Sequence, residues 1–310
     1  METRILQVNK IQERIYGEVK AEIQRCSVTR FGRTPGIAFL GFEGVPLGKY
    51  TLPLHLKAAM DTGFRVFHHI FPADVGFPEV AALIDRYNDD PEVNAIVILQ
   101  PVPVHLNPIL VENQIRPQKE VEGFHPQNML GTMIPEINSH SCPMCLPQAL
   151  MEIFREENLT IKKGSPWLFI LDDEFLSNPL TRMIVRAAAS RVVPKESPVT
   201  FINKDSEMVA AYCKNADYLV VVSKTPGFVD PDWLKQGVTI IDIYSNLVKE
   251  VPSKNDPSKL VPVIRGGVFV ERVQGIASGI LSIPGGLMTV VLAILLRNAV
   301  SAFKAQEKIN

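Results

Sequence analysis

Apolar residues at Ile5, Val8, Ile11, Ile15, Val19 and Ile23 recur every three or four positions, the period of one helix face, so an amphipathic helix is expected over residues 5–25. Residues 36–41 then form a short continuous apolar run with glycines at both ends, the pattern of a strand buried on both faces. A helix over 49–63, a strand over 65–71, a helix over 79–89 and a strand over 95–99 follow. Strands alternating with helices imply a parallel sheet covered by helices. The alternation breaks at the proline-rich stretch 101–117 and the irregular stretch 121–147. A connecting helix over 148–156 leads into a second series, with strands at 167–171, 199–202, 218–222 and 238–243 and helices near 179–190 and 208–215. The fold class is therefore α/β with two domains. Residues 1–146, joined by a C-terminal helix over 286–310, form an N-terminal α/β domain, and residues 147–285 form a Rossmann-like doubly wound domain. The most apolar stretch, 286–296, stops at Arg297-Asn298, short of the ~20 residues a membrane span needs, and reads as a buried helix. Residues 252–259 read as a polar surface loop.

A net charge of −1 with mixed signs provides no global field for a nucleic acid or an acidic membrane, so neither is expected as a partner. The N-terminus has no basic stretch leading into an apolar core, and four cysteines are too few for a disulfide scaffold in 310 residues. A reduced, cytoplasmic location is expected.

Several short motifs carry candidate chemistry. Cys142-Pro143-Met144-Cys145, preceded by His140, has the spacing of half a zinc site or of a redox pair, but no second such pair exists and no metal is expected. His68 and His69 are adjacent on an expected strand and point to opposite faces, so they cannot chelate together. Gln100 ends a strand where open α/β sheets place their ligands. Lys119-Glu120-Val121-Glu122-Gly123-Phe124-His125-Pro126 gathers carboxylates, a histidine and an aromatic in an irregular loop, and Pro284-Gly285-Gly286 precedes the terminal helix with bare backbone N–H groups. The turn after the first strand of the second series should be glycine-rich if it is to approach a dinucleotide pyrophosphate. Instead it reads Leu171-Asp172-Asp173-Glu174-Phe175-Leu176-Ser177, with three adjacent acids. Each would repel phosphate by about 1 kcal/mol per charge pair at ~4 Å even in water. The competing reading is that these acids start the next helix, where negative charge is favourable.

Taken in order, Leu56-Lys57-Ala58-Ala59, the Glu122-Gly123-Phe124-His125-Pro126 loop, Pro284-Gly285-Gly286 and Met288-Thr289 resemble the methylenetetrahydrofolate dehydrogenase/cyclohydrolase family over nearly the whole chain. The resemblance implies a two-domain α/β protein, usually a homodimer, that oxidises methylenetetrahydrofolate with NADP or NAD and hydrolyses the methenyl product. It places His55 at the family's catalytic lysine and Thr51 at its stacking tyrosine, with Tyr50 one residue off. The family's Gln-Leu-Pro-Leu-Pro is Leu99-Gln100-Pro101-Val102-Pro103. Pinning the prolines puts Leu99 at the glutamine position, while pinning Gln100 shifts the prolines. Glu122 takes the place of the pterin-holding aspartate. Catalysis would then rest on His55 for proton transfer, Gln100 for orientation and Glu122 for pterin recognition, with Tyr50, Thr51, Pro284, Gly285 and Gly286 at the substrate. The family's glycine-rich cofactor loop aligns with residues 171–179, so Leu171, Asp172, Asp173 and Ser177 mark a degenerate cofactor site, to which Asp205 could contribute after the second strand. A reduced folate is thus the expected ligand, and NAD(P)-dependent oxidation is expected to be lost or weakened. Two further readings are an inactive homologue that serves as a binding or scaffolding subunit, in a homodimer or with an unidentified partner, and a conventional bifunctional enzyme.

Overall fold

Ile5 belongs to a strand rather than to the opening helix. β1 (Arg4–Ile5) pairs in parallel with a segment far along the chain, Arg4 opposite Gly279, and α1 begins only at Asn9 (Asn9–Thr29). The computed structural model describes residues 2–29, 33–45, 47–134 and 142–309 and divides into two units. One comprises Ile11–Ala149 with Thr289–Asn310, the other Met1–Lys10 with Leu150–Met288. The first ten residues thus group with the second unit, because β1 completes its sheet, and the boundary expected at 146/147 lies inside a helix.

In the first unit, β2 (Gly36–Phe42) is buried at every position and lies at the centre of a parallel sheet. α2 (Gly48–Thr62), β3 (Arg65–Phe71), α3 (Phe77–Asp89), β4 (Ala95–Ile98), α4 (Pro108–Gln114), α5 (Pro126–Met133) and α6 (Cys145–Glu156) follow. The order β3-β2-β4 places the second and third strands on opposite sides of the first, so the chain changes direction at β2, and the crevice beyond its carboxyl end is where such a sheet holds a ligand. Strand alternation divides the side chains between two faces. Ala38, Leu40, Phe42, Ile96 and Ile98 pack with Val80, Leu83 and Ile84 of α3 and with Val111 and Ile115 around α4. Phe39 points to the other face.

The second unit contains β5 (Trp167–Leu171), α7 (Asp173–Ser177), α8 (Pro179–Val192), β6 (Val199–Asn203), α9 (Val209–Cys213), β7 (Tyr218–Val222), β8 (Thr239–Asp242), β9 (Asn246–Pro252), β10 (Leu260–Arg265) and β11 (Gly279–Leu281). Six strands pair in parallel in the order β1-β11-β8-β7-β5-β6. β9 and β10 form an antiparallel hairpin whose connection occupies most of the expected polar loop.

The final helix, α10 (Leu287–Glu307), has the length and hydropathy of a membrane span, yet Val290, Ala293, Ile294, Leu296 and Phe303 are completely buried, as in a core helix. Its polar exception, Asn298, is also buried, and its amide donates to the carbonyls of Val121 and Pro143, both at 2.9 Å. A buried amide is tolerated because these bonds satisfy it.

Candidate active site

His55 lies on α2, one turn after Thr51, and its ring meets Phe39 edge-on at 5.5 Å between centroids. Nδ1 is 2.7 Å from the Thr51 carbonyl, which can only accept, so Nδ1 carries the proton and Nε2 keeps its lone pair. Burial, partly opposed by the Thr51 bond, holds the imidazole below its ordinary pKa of 6.5 and therefore neutral at pH 7. The half-buried Tyr50 ring lies under the Lys49 ammonium, 5.2 Å from its centroid, so the aromatic of this pair is one position from the aligned one.

Gln100 does not join His55. Its Nε2 donates to Oε1 of Glu112 on α4 at 2.8 Å, on the face that carries Leu40 and Ile98. Leu99, whose N–H continues the ladder to Leu40, lies 3.6 Å from the position a Gly41 Cβ would take, on the Phe39 face. Of the two alignments open in the sequence, the geometry favours the one that pins the prolines. The orienting role expected of Gln100 beside His55 has no geometric support, because one step along a strand reverses the facing.

Glu122 lies in a loop organised by Glu120, whose buried carboxylate accepts the N–H groups of Glu122 (2.7 Å), Gly123 (2.9 Å) and His125 (3.0 Å) and the Asn128 amide (2.9 Å). Burial, and then the Glu120 charge, raise the Glu122 pKa well above the carboxylate range. Glu112, likewise raised by burial and by Glu120 and Glu122, completes a three-carboxyl cluster that sequence reading missed. Its signal was an acid set within the apolar stripe of Val111 and Ile115. His125 caps α5 by accepting the Gln127 N–H at 3.0 Å, which accounts for it without chemistry. Gly123 has φ +86°, and a Cβ there would stand 2.3 Å from the Met144 Cα. We therefore expect Gly123→Ala to cost at least about 2 kcal/mol in urea denaturation, from left-handed backbone and overpacking together.

Cys142 and Cys145 are both buried, and burial pushes the thiols up, Cys142 to about 12 and Cys145 well above the ordinary range, which disfavours the thiolate a metal or redox site needs. His140 lies outside the described residues. Among those described, no group of three His, Cys, Asp or Glu side chains is placed to hold a metal ion. His68 and His69 are exposed on β3, with the His69 ring 4.6 Å from that of Phe71.

At the carboxyl end of β5, Leu171 is buried and Asp172 begins a short helix with Asp173 and Glu174 in its first turn, as the helix-start reading expects. Ser177 ends that helix, exposed. Asp173 accepts from Asn203 at 3.1 Å, and Asp205 is exposed and held by its neighbour Lys204 at 2.6 Å. Phe175 packs on Tyr244, which follows β8, at 4.9 Å between centroids. Pro284-Gly285-Gly286 is a tight turn: a Cβ on Gly285 would be 2.0 Å from the Ser282 carbonyl, and Gly286 has φ +91°. These demands explain both glycines without a ligand. Nearby, Asp242 ends β8 fully buried, with Oδ2 accepting the Val268 N–H at 2.9 Å and burial raising its pKa to about 7.

The arrangement matches known proteins along its whole length. The profile of the tetrahydrofolate dehydrogenase/cyclohydrolase catalytic domain matches residues 6–122, and that of the family's NAD(P)-binding domain matches residues 144–307. The bifunctional protein FolD of Methylorubrum extorquens is 30% identical over 294 residues, 94% of this chain and 89% of that one. FolD of Desulfosudis oleivorans is 28% identical over 304 residues, 98% of each chain. Among solved structures, the Trypanosoma brucei methylenetetrahydrofolate dehydrogenase-cyclohydrolase superposes with a TM-score of 0.82 at 24% identity, covering 99% of both chains, a likeness of fold. With both domain profiles matched in order and the two-unit α/β fold in place, the chain belongs to the tetrahydrofolate dehydrogenase/cyclohydrolase family.

Proposed function

We propose that this protein acts on a reduced folate in the manner of a methenyltetrahydrofolate cyclohydrolase, with His55 as general base and with NAD(P)-dependent oxidation lost or weakened. The observation that carries the reading is the fixed tautomer of His55: Nδ1–H is committed to Thr51, and Nε2 is free to take a proton. A methenyl folate carries its positive charge across an N–C–N unit whose carbon is attacked by water. As the new C–O bond forms, Nε2 removes a proton from the water. Cleavage of one C–N bond, with the imidazolium returning its proton to the leaving nitrogen and the hydroxyl oxygen releasing its own to solvent as the C=O forms, then yields the formyl product. A neutral imidazole suits this cationic substrate better than an ammonium would, since it binds without like-charge repulsion and is already in the base form at pH 7. Burial and the Glu120 charge raise the Glu122 pKa, and in its protonated form this carboxyl can both donate to and accept from an amide-like pterin edge.

The dinucleotide fits the second unit less well. Backbone N–H groups at a glycine-rich turn are what a pyrophosphate requires, and here the turn carries Asp172, Asp173 and Glu174 and is filled by Phe175 against Tyr244. The test is an assay of both half-reactions on the purified chain. Loss of the methenyl absorbance without NAD(P)H formation from methylenetetrahydrofolate is the expected result, and NAD(P)H formation at ordinary enzyme concentration would refute the second half of the reading.

A further inference from the structure

Glu120 is 1% exposed, too deep to touch a ligand, yet it stands two residues from Glu122. Its Oε1 accepts the N–H groups of Glu122 and Gly123, and its Oε2 accepts the N–H of His125 and the Asn128 amide. Burial raises its pKa and these donors oppose the rise. Two donors at each oxygen fill the lone-pair directions of a carboxylate, an arrangement that suits the ionised form rather than the acid. The donors are neutral, and among the described residues no cation is paired with this charge. Burying a charge without a counter-ion is costly, so a carboxylate is a poor choice for merely closing a loop. What the four bonds fix is the main chain of Glu122. Its N–H is held by Glu120, and its carbonyl accepts the Cys145 N–H at 2.9 Å, at the start of α6. Glu122 is itself part-buried, and its carboxyl makes no hydrogen bond to a described residue.

We propose that Glu120 is a positioning residue for the folate reaction: it acts through Glu122, by fixing the backbone from which that carboxyl is presented to the pterin. The inference rests on the reading that Glu122 meets the pterin, and deepens it. With its N–H and carbonyl both held, Glu122 has only side-chain torsions left to order when the ligand arrives, which favours affinity. Replacing Glu120 with glutamine would set an NH2 group against two of the four donors. The loop would lose acceptors and gain repulsive contacts, and Glu122 would be released from its fixed direction. The His55 ring is held separately, by Thr51 on α2. The effect is therefore expected on substrate affinity and not on proton transfer.

The test is a double-mutant cycle on the full chain: wild type, Glu120→Gln, Glu122→Ala and the double variant, each checked for folding by circular dichroism. Affinity for 5-formyltetrahydrofolate is read by calorimetry, and kcat and KM for methenyltetrahydrofolate hydrolysis by loss of absorbance. Each single change is expected to weaken binding about tenfold or more, and the double variant to bind as Glu122→Ala does within about twofold. The loss in Glu120→Gln should lie in KM, with kcat per folded molecule within about twofold of wild type. Glu120→Asp keeps the charge and both oxygens, so it should recover part of the affinity, and it takes the place of Glu120→Gln in the cycle if that variant does not fold. Losses that multiply in the double variant overturn the inference, as do wild-type affinity in Glu120→Gln and a loss confined to kcat. Absence of folate binding by the wild-type chain, or wild-type affinity in Glu122→Ala, overturns instead the reading beneath it, and the inference falls with that reading.

Discussion

Replacing His55 with alanine is expected to lower the rate of methenyltetrahydrofolate hydrolysis at least about 100-fold, the usual contribution of a positioned general base, while folate affinity changes little. Truncation removes the ring that meets Phe39 and the Nε2 lone pair but leaves Glu122 and its loop untouched. The wild-type rate should be flat across neutral pH and fall only below 6.5, because burial lowers the His55 pKa from that value. Folded His55 takes its proton less readily than the unfolded chain does. Stability from this group is therefore also lost as pH falls through 6.5, and acid rates must be normalised to the folded fraction. A His55→Ala enzyme with the wild-type hydrolysis rate would remove the base from the mechanism.

The second large effect concerns Asp242. Its folded pKa of about 7 lies far above the unfolded value of 3.8, so between those values the folded chain holds a proton that the unfolded chain releases. The stability contributed by this group is therefore greatest in mild acid and declines as pH rises towards 7, by on the order of 4 kcal/mol at one pKa unit per ~1.4 kcal/mol. Asp242→Asn keeps an acceptor for the Val268 N–H and abolishes the ionisation. We expect it to flatten the pH dependence of urea unfolding between mild acid and pH 8 and to be more stable than wild type at the alkaline end. Superimposable curves for the two proteins would place the proton elsewhere.

Two interior strands of the second unit were legible to the residue, Trp167–Leu171 and Tyr218–Val222, because each is a continuous apolar run bounded by turn-formers. The hairpin of β9 and β10 was not, since charged residues interrupt its alternation and one exposed face needs no apolar pattern. Ile5 misled by falling in phase with α1, when its real partner is Ile280, near the other end of the chain. His55 could be located because four residues beside it anchor the alignment. Gln100 could not, because its facing depends on a single strand step that only the bond to Glu112 reveals.

Asn298 ties the carbonyls of Val121 and Pro143 to the last helix of the chain. The loop that carries Glu122 therefore lacks its tie to the last helix while a ribosome makes the whole of Leu150–Met288, an interval on the order of 10 s at ordinary elongation rates. The first unit cannot be finished in the order in which it is synthesised. Its N-terminal segment must wait, with Val121 and Pro143 lacking their final donor.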